Sequence, residues 1–157
     1  MRIPIIILKK PTPHVRKEIN GLIAGLSLTA TPPSPLTLMQ LKELLGQKNV
    51  FILAAYEAEG KQKKMIGFLT VSLIRIPSGI TAMADDFLIY DSYRKWGVGR
   101  MLMEYALDLA EKKGARHLTL RTSPKRTEAN ELYKKMGFQL QITNVYRMNL
   151  PRKIAKS

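Results

Sequence analysis

Between Val50 and Tyr90 the chain offers three β-rich runs in succession, then passes through the turn YRKWGVGR straight into a helical stripe. That strand, glycine turn and helix junction constrains the fold most, because a strand feeding directly into an amphipathic helix leaves the helix lying on the face of a sheet. The segment NVFILAAYEAEGKQKKMIGFLTVSLIRIPSG supplies two of the runs around a polar turn containing Gly60 and predicts a hairpin. Pro77 and Gly79 mark the next turn, and ITAMADDFLIY, Ile80 to Tyr90, adds a third strand.

Beyond the glycines, Val98, Met101, Leu102, Tyr105, Leu109 and Ala110 fall on one helical stripe, with Gly114 as its C-terminal stop. HLTLRT, His117 to Thr122, predicts a strand. Pro124 opens a last helix with the stripe Ala129, Leu132, Tyr133 and Met136, ended by Gly137. FQLQI and VYRMNL then alternate as two closing strands. Upstream, the apolar run Ile3 to Leu8 reads as a buried first strand. Thr12 and Pro13 start a helix carrying Val15, Ile19, Leu22, Ile23 and Leu26, and the proline-rich TATPPSPLT, Thr29 to Thr37, cannot continue it. Thr37 and Gln40 match a capping box before Leu41, Leu44 and Leu45, in a second helix ending near Gly46. The predicted order is βααβββαβαββ: an α/β (α+β) fold whose mixed sheet has helices on its faces. With 157 residues the chain reads as one domain over 1–150 and a short basic tail, PRKIAKS, over 151–157.

Without cysteine, disulfides, thiolate zinc sites and cysteine nucleophiles are excluded. His14 and His117 stand beside no other candidate ligand at a helical or strand repeat, so no metal is expected. The run Ile3 to Leu8 is far below the ~20 residues a membrane span needs, which predicts a cytoplasmic protein. The net charge of +14 attracts polyanions such as nucleic acid, anionic lipid or a phosphorylated cofactor, and mildly disfavours polycationic ligands.

The glycine turn is the more specific signal. A strand ending at Tyr90, a turn with Gly97 and Gly99, and a helix starting there gather backbone N–H groups and the positive end of a helix dipole at one point. Glycine clears the backbone for a phosphate, and Arg94, Lys95 and Arg100 surround the point with positive charge. A plain strand-to-helix turn with solvated cations is the bland alternative. A Walker A loop needs Gly-Lys-Ser/Thr, which is absent, and a dinucleotide fingerprint needs a small residue where this chain has Leu102.

What remains, Arg94-x-x-Gly97-x-Gly99, resembles the Gln/Arg-x-x-Gly-x-Gly/Ala pyrophosphate motif of the GNAT superfamily of N-acetyltransferases. ANELYKKMGF, Ala129 to Phe138, and the ending TNVYRMNL resemble the same family, and RTSPKRTEANELY is similar to a bacterial branch of it. The resemblance runs from about Met65 to Leu150. It implies a GNAT-like, mostly antiparallel central sheet and acetyl-CoA as cosubstrate, its diphosphate held by the loop Arg94, Lys95, Trp96, Gly97, Val98, Gly99 and Arg100. Trp96 would cover the cofactor or anchor the turn. The resemblance also implies that backbone groups of Phe87, Leu88 and Ile89 pair with the pantetheine arm and stabilise the oxyanion, and that Tyr133 protonates the departing thiolate. Where many members carry a cofactor-contacting asparagine this chain has Arg126, and Asn130 lies nearby out of register.

For the general base, Asp85 and Asp86 are the candidates. Neighbours on a regular strand point to opposite faces, so at most one of them is expected at the reaction centre. The acceptor would be an amine on a small molecule or a protein, attacking the thioester directly in a ternary complex. A basic module binding nucleic acid or the ribosome on the same fold is the alternative, although aromatics interleaved with cations on one sheet face do not stand out. Neither the acceptor nor the oligomeric state is legible.

Overall fold

The computed structural model describes residues 3–25, 34–59 and 62–151, and its chain forms two compact units, Met1–Ser123 and Pro124–Ser157. The expected Leu26 position, the proline segment as far as Pro33, the Gly60 turn and the tail from 152 onward lie outside the described residues.

The first unit contains a five-stranded sheet in the order β1-β2-β3-β4-β5. Its strands are β1 (Ile5–Ile7), β2 (Val50–Glu59), β3 (Gln62–Ile76), β4 (Gly79–Ile89) and β5 (Ala115–Leu120). The first four pair antiparallel, and β5 joins β4 in parallel after the helical crossover that the sequence predicts. The first strand is shorter than the apolar run suggested. It is an edge strand, so Ile6 stays exposed while Leu8, just past its end, is buried.

Two helices cover one face. In α1 (Pro13–Ala24) the Thr12 side chain accepts from the Val15 amide at 3.1 Å, and proline occupies the first turn. In α2 (Leu38–Gly46) the full capping box forms, with Thr37 accepting from the Gln40 amide at 3.1 Å and Gln40 accepting from the Thr37 amide at 2.9 Å. Asn20 ties the two together by bonding both backbone groups of Leu36, donating at 2.9 Å and accepting at 2.8 Å. Ile19 and Leu22 of α1 and Leu41 of α2 then pack on Ile52, Ala54, Met65, Phe68 and Leu88. Each such fully buried aliphatic or phenyl side chain contributes roughly 1.5–3 kcal/mol.

The alternate strand residues Leu53, Ala55, Leu69 and Val71 are buried as well, and α3 (Val98–Lys112) packs on this sheet through Val98, Leu102, Met103, Ala106, Leu109 and Ala110. The buried stripe is turned slightly from the predicted one: Met103 and Ala106 are inside, and Tyr105 lies at the solvent boundary. Gly114, at φ +77°, ends the helix as expected.

In the second unit α4 (Thr127–Lys135) starts later than Pro124 and ends in a Schellman turn, where the Phe138 amide donates to the Tyr133 carbonyl at 3.0 Å and Gly137 sits at φ +89°. The two predicted closing strands do not form. Residues 139–150 have no strand pairing, and Leu140, Ile142, Val145, Tyr146, Met148 and Leu150 are exposed. Alternation supplies a face for burial but no ladder partner, and without one a segment's amides and carbonyls turn to water.

Candidate functional site

The site begins with an irregularity in β4. Phe68 pairs with Leu88 and Thr70 with Asp85, so Asp86 and Phe87 together oppose Leu69. This is a β-bulge, and Asp86 takes the left-handed conformation at φ +47°. A non-glycine residue held there costs on the order of 1 kcal/mol, a strain that clusters at functional positions. On the other side of β4, pairing with β5 ends at Ala84 and Leu120, while β4 runs on to Ile89. Phe87, Leu88 and Ile89 therefore lie on a strand end that runs on past the last residue of its parallel neighbour.

The bulge alters the expectation for the two aspartates. Asp85 faces Thr70, which shares the face of Phe68 and hence of α1 and α2. Asp86 also opens onto that side, because it lines a cleft with Ile23 of α1, Gln40, Glu43 and Leu44 of α2, and Gln47, the residue that caps α2. Strict alternation fails where two residues oppose one. Packing around the Asp86 carboxyl pushes it above the usual carboxylate range, and the neighbouring charge of Asp85 pushes it the same way. Asp86 remains accessible to solvent. Asp85 instead has a cation close by, with Arg121 at 3.6 Å.

The cleft holds about 430 Å³. Its polar wall is Gln40 and Glu43 on α2 with Gln47 at the helix cap. The sequence shows this wall beside the apolar stripe Leu41, Leu44 and Leu45 as three polar residues at i, i+3 and i+7.

After β4 the chain makes a short helical turn, Asp91–Tyr93, and enters the glycine loop. Lys95 and Gly97 both have left-handed backbones, at φ +68° and +78°. Gly97 is the N-cap of α3 and has no side chain with which to cap the amides that follow, those of Val98, Gly99 and Arg100. Arg94 is bound to Asp91 at 2.7 Å and Arg100 to Glu104 at 2.8 Å, all four side chains being at least half exposed. Exposed pairs of this kind are worth only ~0–1 kcal/mol, so either arginine can turn to an incoming phosphate at little cost. Trp96 is 55% exposed, with its ring 5.9 Å from Tyr93. The Tyr93 hydroxyl donates to Glu57 on β2, and Lys64 of β3 lies over the rings of Tyr90 and Tyr93. The loop is thus braced on the sheet while its amides point into a cationic surround, an arrangement suited to a diphosphate.

Tyr133, Arg126 and Asn130 belong to the second unit. Tyr133 is buried, with its ring edge-on to Phe138 at 5.8 Å. Burial pushes its phenol upward, opposed by the Arg126 charge. Asn130 donates to the Arg126 carbonyl at 2.9 Å, one turn back along α4. Among the described residues there is no group of three side chains suited to a metal ion, and no helix is long and apolar enough to cross a membrane.

The chain is similar to known proteins. A streptothricin acetyltransferase from Streptomyces lavendulae is 32% identical over 83 residues, which are 53% of this chain and 43% of that protein. This chain therefore matches less than half the length of that relative. Among solved structures, a transcriptional regulator from Bacillus halodurans superposes with a TM-score of 0.76 at 20% identity, over 95% of this chain and all of the other. AAC(6')-Iy, solved with the bisubstrate analog CoA-S-monomethyl-acetylneamine, does so with a TM-score of 0.75 at 21% identity, over 96% of this chain and all of the other. At these identities the superpositions speak for the fold, a GNAT-like mixed sheet with flanking helices. The profile of the Acetyltransferase (GNAT) family matches residues 23–138, across the cleft, the bulge, the glycine loop and α4, and the chain belongs to that family.

Proposed function

We propose that this protein is an N-acetyltransferase that moves the acetyl group of acetyl-CoA to a primary amine by direct attack in a ternary complex. The observation that carries the reading is the glycine loop: left-handed Lys95 and Gly97 lead into α3 amides that the N-cap residue itself leaves uncapped, shortly after the end of β4 that β5 does not pair. The diphosphate would sit on the amides of Val98, Gly99 and Arg100, with Arg94 and Lys95 adding charge and Trp96 flanking the coenzyme. The arm would run along Phe87, Leu88 and Ile89, with Arg126 and Asn130 as further cofactor contacts.

In the reaction the lone pair of the neutral amine attacks the thioester carbonyl, and an N–C bond forms as the C–O π electrons move to oxygen. Backbone N–H groups of the β4 end would hold that oxyanion. When it collapses, the C–S bond breaks and the thiolate takes a proton from the Tyr133 phenol, while the nitrogen loses one to Asp86, directly or through water. Tyr133 suits a donor because burial keeps its phenol protonated across the physiological range. Asp86 is the better base of the two aspartates because it opens on the cleft, whereas Asp85 has Arg121 beside it. The family match crosses both compact units, which supports residues 1–150 working as a single acetyltransferase domain.

The first test is thermal. Acetyl-CoA should raise the melting temperature, whereas an RNA-binding module would respond to RNA with a steep salt dependence and ignore acetyl-CoA. Tyr133→Phe should then lower kcat with acetyl-CoA affinity nearly intact, and unchanged turnover would remove Tyr133 from its role.

A further inference from the structure

The chain carries 26 cationic against 12 acidic side chains, yet the cleft beside the bulge is lined by eight residues of which two are acids and none is a cation. Those two acids, Glu43 and Asp86, also have no ion pair among the described residues. Several other carboxylates lie beside a cation: Asp85 by Arg121, Asp91 by Arg94, Glu104 by Arg100 and Glu131 by Lys134. In a molecule with so many cations to spare, two unpaired carboxylates on one 430 Å³ cleft are a local reversal of the protein's field.

Chemistry divides the cleft further. Asp86 is the acid contributed by β4, where a nitrogen would meet the thioester. Glu43 is the acid contributed by α2, with Gln40 and Gln47 one turn to either side and Ile23, Leu36 and Leu44 giving aliphatic surface. Such a cleft suits a short carbon skeleton with polar groups along one side and a second positive charge.

We propose that Glu43 is a specificity-determining residue that holds a second, protonated nitrogen of the acceptor, so that the preferred substrates are small di- and polyamines, amino sugars with two amines included. The inference rests on the acetyl-transfer reading and adds the substrate class. The nitrogen at Asp86 loses its proton and is acetylated. The nitrogen at Glu43 keeps its proton and stays an ammonium throughout, so no further co-reactant is required.

The test compares cadaverine with pentylamine, two skeletons of equal length that differ in the second ammonium, and adds spermidine and kanamycin as polyamines, each assayed by CoA release. Wild type should favour cadaverine over pentylamine by about tenfold in kcat/KM, as expected for one accessible charge-assisted contact. Glu43→Gln should bring that ratio to within about twofold, chiefly through the KM of the diamine, and Glu43→Asp should restore part of it. A shift in melting temperature with acetyl-CoA, equal in all three proteins, verifies that they are folded and loaded. Equal use of the two alkylamines by wild type, or a preference that survives in Glu43→Gln, overturns the proposal. So does absence of turnover with all four amines while acetyl-CoA still binds, and in each of these cases the acetyl-transfer reading stands. Failure of acetyl-CoA to bind overturns both.

Discussion

Gly67 is a buried residue in the middle of β3, paired with Ala55 on one side and Ile89 on the other, and its replacement by alanine tests how tightly the end of β4 is positioned. A Cβ there would lie 2.8 Å from the Leu88 carbonyl oxygen, 2.9 Å from Ile89 Cγ1 and 3.3 Å from Ile89 Cα. The first contact is about 0.6 Å inside ordinary van der Waals distance, and it is made with backbone that cannot rotate away. Forcing the strands apart costs ~1–3 kcal/mol, and alanine's smaller loss of chain entropy returns ~0.4–1 kcal/mol of that. A net loss of ~1–2 kcal/mol corresponds to a fall in melting temperature of about 2–8 °C for a chain this long. The displaced atoms belong to the strand end proposed to pair with the coenzyme, so the shift in melting temperature produced by acetyl-CoA should shrink as well. Gly21→Ala is the control, because its Cβ meets only the Tyr90 hydroxyl at 2.8 Å, the tip of a rotatable side chain. Alanine in that helix also gains up to ~1 kcal/mol, so this variant should be neutral or more stable. Differential scanning fluorimetry with and without acetyl-CoA reads all of this. A Gly67→Ala protein with wild-type stability and a full acetyl-CoA shift would refute the reasoning.

Other perturbations have clear signs. Trp96 is the single tryptophan, so titration with acetyl-CoA should change the intrinsic fluorescence with a midpoint equal to that from activity, and flat emission would remove Trp96 from the coenzyme's surroundings. Asp86→Asn should cut turnover and erase the acid limb of the pH–rate profile, which in wild type lies above the ordinary carboxylate range. The same substitution should raise stability at neutral pH. A raised folded-state value means that ionised Asp86 disfavours the fold, so the gain should vanish as pH falls below the ordinary carboxylate range. The Tyr56 phenol is pushed up to about 12 by burial and by Glu18. Its contribution is fully present below pH ~10 and is lost as pH rises toward ~12, on the order of 2 kcal/mol, so alkaline unfolding monitored by circular dichroism should be shallower in Tyr56→Phe.

Local signals carried most of the fold. Thr12 and Thr37 were legible as helix caps because a cap is written in three or four consecutive residues, and both make the predicted bonds. The glycine turn was legible for the same reason, since a left-handed N-cap at Gly97 demands glycine in the sequence itself. The bulge was not. Asp85 and Asp86 read as ordinary alternating neighbours, because the extra residue exists only in the register between Phe68–Thr70 and Asp85–Leu88. Leu140 to Leu150 failed for the converse reason: the alternation is present, but pairing depends on a partner that no local pattern specifies.

Net charge misleads in a related way. A sum of +14 describes how the molecule meets a distant ion, yet beyond the ~8–10 Å Debye length at physiological salt most of that field is screened. What a bound ligand senses is the nearest few side chains. They change sign between the cleft, lined by Asp86 of β4 and Glu43 of α2, and the glycine loop that follows β4, with Arg94, Lys95 and Arg100. In the proposed reaction a polyanionic donor would meet the second and a cationic acceptor the first. The expectation that a basic protein disfavours polycationic acceptors follows from the distant field, whereas the proposal for the cleft follows from its nearest charges, two carboxylates without an ion pair among the described residues.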